Sequence, residues 1–135
     1  MTGMRAEQRR VRLAVEIVVA YLRAWRELRR APIDTVVERF RQQGPAPGGD
    51  GQESLREARH LGHIVGRALR LLPGDTRCLR RSLVLLQLLA RRGISATLVI
   101  GTRTEPDFLA HAWVEHEGQP VLPPGDDSFG RLVAL

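Results

Sequence analysis

The stretch TRCLRRSLVLLQLL, residues 76–89, constrains the fold more than any other segment of the chain. It belongs to a helix predicted over Arg77–Arg92, and its leucines and valine lie on most of the circumference of that helix. A helix that is apolar nearly all round is expected in the centre of a domain, covered by other elements. Its first turn contains Cys78, the single cysteine of the chain.

Helical periodicity also dominates the first half of the chain. Further helices are predicted over Arg5–Arg30, from Ile33 or Asp34 up to a loop at Gly44–Gly51, and over Glu53–Leu72, with Pro32 ending the first. Three- and four-residue spacing predicts their inner faces. These are Val11, Ala14, Val15, Val18, Val19, Leu22 and Trp25 in the first, Val36, Val37 and Phe40 in the second, and Leu55, Ala58, Leu61, Ile64, Val65, Ala68 and Leu72 in the third.

After the cysteine helix the period changes from helical to strand-like. Strands are predicted over Ile94–Gly101 and Phe108–His116, which are rich in β-branched and aromatic residues. Glu117-Gly118 is a turn signal, and QPVL after it is the returning strand of a hairpin; PPGDDSFG is a loop again. Helices first and a small antiparallel sheet afterwards predict an α+β fold.

Length and composition bound the class of protein. A chain of 135 residues predicts one domain, with a helical region over residues 1–72 and a second region over residues 73–135 that carries the cysteine helix and the sheet. The first apolar run is interrupted by charges, which argues against a signal peptide and a membrane span. A lone cysteine cannot form an intrachain disulfide, so a reduced, cytoplasmic protein is expected.

The basic residues are not clustered in any one segment of the sequence. The net charge of +6 comes from arginine alone, since the chain has no lysine, and the arginines are spread over every predicted helix. No nucleic-acid motif accompanies them, so nucleic-acid binding is not expected. His60 and His63 have a spacing compatible with metal binding, but no further ligand is evident beside them, and no metal or other cofactor is predicted.

Cys78 and His111 form the candidate catalytic pair. Backbone N–H groups and the positive end of the dipole at a helix N-terminus favour a thiolate, and Arg77, Arg80 and Arg81 add positive potential. The same N–H groups are suited to hold the oxyanion of an acyl-transfer intermediate. Strand alternation places His111 on the same face as Trp113 and Glu115, with His116 at an exposed strand end.

The same residues have plainer interpretations. A lone cysteine is most often a small buried hydrophobic residue, and a histidine on a strand often makes only a structural hydrogen bond. Trp113 either packs in the core or walls a substrate cleft. The group that orients His111 is Asp126 or Asp127 or, less favoured, Glu115.

The region from Pro73 to about Leu122 resembles one enzyme family closely. CLRRSLVLLQLLARRGISATLVIG followed by FLAHAWVEHEG is similar to the transglutaminase-like leader peptidases of lasso-peptide biosynthesis, the B proteins or their stand-alone C-terminal half. The resemblance implies a papain-like cysteine protease that removes the leader from a ribosomally made precursor, with Cys78 as nucleophile and His111 as base. Catalysts of this kind lose most of their activity when either group is removed.

The resemblance also implies partners. The stand-alone form works with a separate small leader-binding protein and passes the freed core peptide to an ATP-using cyclase of the asparagine-synthetase type. The family has an aspartate near the position where this chain has Pro123, so Asp126 is assigned here as the third catalytic residue. The alternatives are Asp127 and a Cys–His dyad that has no third residue. Trp113, Arg80 and Glu115 are assigned to substrate binding. The alternatives are a non-catalytic scaffold that binds precursor and partner proteins, and an acyl-transfer enzyme that uses the same pair.

Overall fold

The computed structural model places four helices before a four-stranded sheet, as the α+β prediction requires. It describes residues 2–45, 51–70, 77–104, 109–122 and 130–135. The helices are α1 (Thr2–Leu28), α2 (Ile33–Gln42), α3 (Gly51–Ala68) and α4 (Arg77–Arg91). The strands are β1 (Thr97–Arg103), β2 (Leu109–His116), β3 (Gln119–Pro120) and β4 (Gly130–Ala134).

The cysteine helix α4 lies at the centre, as its all-round apolar surface predicts. Its residues 82–89 are all buried, and α1, α2, α3 and the sheet pack around it. The two polar members of this run, Ser82 and Gln87, donate hydrogen bonds to backbone carbonyls. Ser82 donates its hydroxyl proton to the carbonyl of Cys78 at 2.7 Å, and Gln87 donates to the carbonyl of Ala20 at 2.8 Å. The helix is therefore the scaffold on which the rest of the fold is assembled.

The predicted inner face of α1 is wrong. All seven residues assigned to it are exposed, and Val15, Val18 and Leu22 each keep 56% of their surface. The buried face consists of Ile17, Ala20 and Ala24, with other residues partly covered. Both stripes satisfy helical spacing, but small alanines let the backbone of α1 come close enough to α4 for the Gln87 hydrogen bond. The close approach of α1 to α4 therefore favours burial of the α1 face that has the smaller side chains.

Smaller differences concern α3 and the end of the hairpin. Leu69, the residue directly after α3, is buried at 8% exposure, whereas Ala68 is exposed and Leu72 lies outside the described residues. His116 is buried at 3% exposure and not at an exposed strand end, because its Nδ1 lies 2.6 Å from the carbonyl oxygen of Ser95. This hydrogen bond to the backbone offsets part of the cost of burying the imidazole.

The sheet has the strand order β3-β2-β1-β4 and is antiparallel throughout. The β2–β3 hairpin turns at Glu117-Gly118 as predicted, and both residues have positive φ, 50° and 80°. This is the pattern of a type I′ turn, which suits the twist of a hairpin. Strand β1 begins at Thr97, three residues later than predicted, because Ile94 instead packs in the core directly after α4.

Strand β4 was not predicted. It pairs with β1 on the edge away from β2, and the backbone groups of Leu135 and Leu98 exchange hydrogen bonds beyond it. Arg41 of α2 donates to the carbonyls of Ala96 and Leu135 and so ties this edge to the helical layer. Among the described residues, no helix has both the length and the apolar composition needed to cross a bilayer.

Candidate active site

Cys78 lies in the first turn of α4 with its side chain partly exposed. Burial is the strongest influence on the thiol and by itself raises the pKa. Hydrogen bonds from the His111 side chain and from the backbone N–H groups of Ala112 and Leu79, together with attraction to His111, act in the opposite direction. They outweigh burial, so the pKa of Cys78 lies below its ordinary value and the thiolate is favoured.

Strand β2 brings His111 to the cysteine because β2 packs directly against α4. His111 pairs with Gly101 on β1, and this glycine leaves space that any other residue would fill. A Cβ atom at Gly101 would lie 2.7 Å from the ring of Trp113 and 2.9 Å from the carbonyl oxygen of Gly130. The indole therefore lies close to the backbone of β1 at Gly101, beside the histidine.

His111 heads a column of side chains on one face of β2. Its ring stacks on Trp113 with the centroids 6.0 Å apart and the planes inclined by 24°. The indole N–H of Trp113 donates to Glu115 at 2.8 Å, and Arg131 of β4 donates to the other carboxylate oxygen at 2.8 Å. Trp113 and Glu115 are both buried, so this column is rigid and restrains the position of the imidazole.

A cleft of about 360 Å³ opens beside the Cys78–His111 pair. Its floor is formed by the pair with Ala112 and Leu122, and one wall comes from α3. Gly62 and Gly66 are part of this wall and add no side chains to it. A Cβ at Gly62 would lie 1.9 Å from the carbonyl oxygen of Val121, so only glycine allows α3 to pack against that segment. The remaining lining residues are basic: His63, Arg67, Arg70 and Arg81.

The structure brings together Cys78 and His111, while the other predicted site residues lie elsewhere. Trp113 and Glu115 are in the core behind the histidine, and Arg80 donates to the hydroxyl of Tyr21 at 2.9 Å. None of these three lines the cleft. Their assignment to substrate binding stays a prediction, and their contacts give the first two a positioning role. Asp126 and Asp127 lie outside the described residues.

The wall from α3 was missed as a component of the site. Its residues Gly62, His63, Gly66 and Arg67 follow the i, i+1, i+4, i+5 spacing of one helical face, which is a recognisable signal once that face is known to meet the cysteine. Over the described ranges of the chain, no three His, Cys, Asp or Glu side chains come together as a metal site would require.

Comparison with known proteins gives the family. The family model of the Transglutaminase-like superfamily matches residues 17–134, which is most of the chain and includes both Cys78 and His111. The chain therefore belongs to this superfamily. No curated protein and no solved structure matches it.

Proposed function

We propose that this member of the Transglutaminase-like superfamily is a cysteine endopeptidase that removes the leader from a ribosomally made lasso-peptide precursor. The observation that carries the proposal is the lowered pKa of Cys78, which arises from its hydrogen bond with His111 at the edge of an open cleft. A structural cysteine in a core gains nothing from such a partner, whereas a nucleophile requires one.

In the first half of the reaction, the thiolate of Cys78 attacks the carbonyl carbon of the scissile peptide bond. The oxyanion that forms is held by backbone N–H groups at the start of α4 and at Ala112, the groups that also face the sulfur. Collapse of this intermediate breaks the C–N bond. The imidazolium of His111 gives its proton to the departing amine, and an acyl-enzyme thioester remains on Cys78.

In the second half, His111 takes a proton from water, and the resulting hydroxide attacks the thioester carbonyl. The thiolate leaves, the acid product is released, and the proton on His111 restores the ion pair. The cycle consumes one water for each peptide bond and needs no metal or organic cofactor in its proton balance. Trp113 and Glu115 are not involved in bond making; they hold the imidazole in place throughout.

The substrate class rests on the resemblance described above. The segments from Cys78 to Gly101 and around Ala-His-Ala-Trp-Val-Glu are similar to those of lasso leader peptidases. We therefore propose the same setting: a cytoplasmic enzyme, a precursor peptide with threonine next to the last residue of its leader, a separate leader-binding protein and an asparagine-synthetase-type cyclase. Asp126 is the proposed third catalytic residue, with the role of orienting the imidazole of His111.

Acyl transfer is the second candidate because the transglutaminase-like fold is typical of cysteine proteases and acyltransferases alike. Both reactions pass through the same thioester and differ in what attacks it. In the peptidase, water attacks and the products gain the mass of one water. In the acyltransferase, an amine attacks and remains in the product.

The test is mass spectrometry of the cognate precursor after incubation with the chain and its leader-binding protein, with cadaverine present as a competing amine. We expect two hydrolytic fragments without cadaverine, and a rate that falls by about 10³-fold or more in Cys78→Ala and His111→Ala. His60→Ala, an exposed histidine on α3, is the matched control and retains the wild-type rate. Unchanged cleavage by Cys78→Ala would refute the proposal, and incorporation of cadaverine would favour the acyltransferase.

A further inference from the structure

Basic side chains line the cleft beside Cys78. His63 and Arg67 project from α3, and Arg81 lies one helical turn after Cys78 on α4. Arg70 belongs to the same lining. Among the described lining residues there is no aspartate or glutamate. A peptide that enters this cleft therefore meets a cationic wall within reach of its scissile bond.

Arg81 and Arg67 differ from the arginines that serve the fold. Arg92 pairs with Glu16 at 2.9 Å and Arg131 with Glu115 at 2.8 Å, so these cations are neutralised by carboxylates. Within the described ranges, Arg67 and Arg81 make no salt bridge. A guanidinium without a carboxylate partner keeps its charge available to an anionic ligand.

The arginines are not needed to activate the thiol. The influences that lower the pKa of Cys78 come from His111 and from the N–H groups of Ala112 and Leu79, and no arginine is among them. A positive wall that does not serve the nucleophile is available to the substrate. Guanidinium groups match carboxylates in both shape and charge, through paired N–H donors.

We propose that Arg81 and Arg67 form a specificity subsite for a carboxylate side chain of the peptide substrate, an aspartate or glutamate next to the scissile bond. That the carboxylate belongs to a peptide rests on the proposed function; the preference of the cleft for anions does not. Arg81 supplies one guanidinium, one helical turn after Cys78, and Arg67 supplies a second from α3. The subsite selects among peptides by the sign of the charge on the side chain that enters it.

The first test measures anion preference with the chain alone. Iodoacetate and iodoacetamide alkylate a thiolate by the same displacement of iodide, but only iodoacetate carries a negative charge. We expect the iodoacetate-to-iodoacetamide rate ratio at Cys78 to exceed that of N-acetylcysteine and to fall about two- to fivefold in Arg67→Gln and in Arg81→Gln. Arg23→Gln, an exposed arginine of α1 that does not line the cleft, is the matched control and keeps the wild-type ratio.

If Arg81→Gln is poorly folded, Arg81→Lys replaces it in the test, because lysine retains the positive charge. We expect its iodoacetate-to-iodoacetamide rate ratio to stay close to that of wild type. A wild-type ratio no higher than that of N-acetylcysteine would overturn the proposal, as would an unchanged ratio in both glutamine variants. This outcome is independent of peptidase activity, because the reagents require only a thiolate. Failure of precursor cleavage with an elevated ratio would instead count against the proposed function.

The second test identifies the source of the carboxylate. Tripeptidyl chloromethyl ketones that differ only by Glu, Gln or Lys beside the reactive group inactivate the thiol at rates that report binding. We expect Glu to react fastest with wild type, and Arg67→Glu to reverse the order of Glu and Lys. Equal rates for Glu and Gln, combined with protection of Cys78 by inorganic phosphate, would show a general anion site and overturn the assignment to a peptide side chain.

Discussion

The ring of Trp113 stacks on that of His111, with 6.0 Å between the centroids, while its indole N–H is bound 2.8 Å from Glu115. One buried side chain therefore joins His111, the proposed catalytic base, to the core of the sheet. The stacked ring limits rotation of the imidazole, and the hydrogen bond limits rotation of the ring. These two functions of Trp113 are separable by substitution.

Trp113→Phe keeps an aromatic ring beside His111 and removes the donor to Glu115, whereas Trp113→Leu removes the ring as well. We expect Trp113→Phe to lose about 1–3 kcal/mol of unfolding free energy, because a buried carboxylate loses a hydrogen bond. Its pH profile of Cys78 alkylation stays as in wild type. In Trp113→Leu the profile moves toward that of His111→Ala. If folded Trp113→Leu keeps the wild-type profile, stacking does not position the base.

His111→Ala tests the electrostatic origin of the activated thiol. The substitution removes the hydrogen bond and the charge that lower the pKa of Cys78 and leaves the burial that raises it. The pKa of Cys78 therefore rises, and the midpoint of the iodoacetamide rate against pH moves to higher pH. His60→Ala serves as the exposed histidine control. Coincident profiles for wild type and His111→Ala would mean that the pair does not interact in solution.

The same lowered pKa makes stability depend on pH. Because Cys78 ionises more readily in the folded chain than in the unfolded chain, its thiolate stabilises the fold fully above the pKa of the unfolded thiol. This contribution is lost as the pH falls through the folded pKa. We expect the difference in unfolding free energy between wild type and Cys78→Ala to grow as the pH rises through this window, in urea titrations at a series of pH values. A difference independent of pH would contradict the shift.

Two glycines in the cleft wall give a matched pair of variants. A Cβ at Gly62 would overlap the carbonyl of Val121 at 1.9 Å, while a Cβ at Gly66 makes an ordinary contact of 3.9 Å with Leu122. We expect Gly62→Ala to lose about 1–3 kcal/mol in denaturant unfolding, because backbone must move. Gly66→Ala is expected to gain about 0.5–1 kcal/mol through helix propensity. Equal stability of the two variants would contradict the close packing of α3.

Residue spacing within short segments predicted the helices and strands that bury a regular stripe of side chains. The central helix α4 is buried throughout residues 82–89, as its leucines predict, and the turn at Glu117-Gly118 joins the predicted strands. Helix position and strand alternation also placed Cys78 and His111 at elements that meet. Each of these inferences depends on residues close in sequence, where spacing alone determines which side faces inward.

Packing between segments that are far apart in sequence determines the features that residue spacing does not predict. All residues of β4 are exposed, so no alternation marks the strand, and it exists because its backbone completes the edge of β1. The cleft arginines Arg67 and Arg81 lie on different helices, and their proximity to Cys78 follows only from how α3 packs. In α1, two stripes have helical spacing, and the choice between them depends on the distance to α4.

The two stripes of α1 can be distinguished by substituting adjacent residues. Ile17 is 4% exposed and packs in the core cluster, whereas its neighbour Val18 keeps 56% of its surface. Ile17→Ala removes buried methyl groups and leaves a cavity, so we expect a loss of about 2–5 kcal/mol in urea unfolding. Val18→Ala removes groups that water already reaches and relieves a β-branched side chain in a helix, so the change stays within about 0.5 kcal/mol of zero. A larger loss in Val18→Ala than in Ile17→Ala would return the core to the stripe that spacing alone had selected, and would place α1 in the opposite rotation against α4.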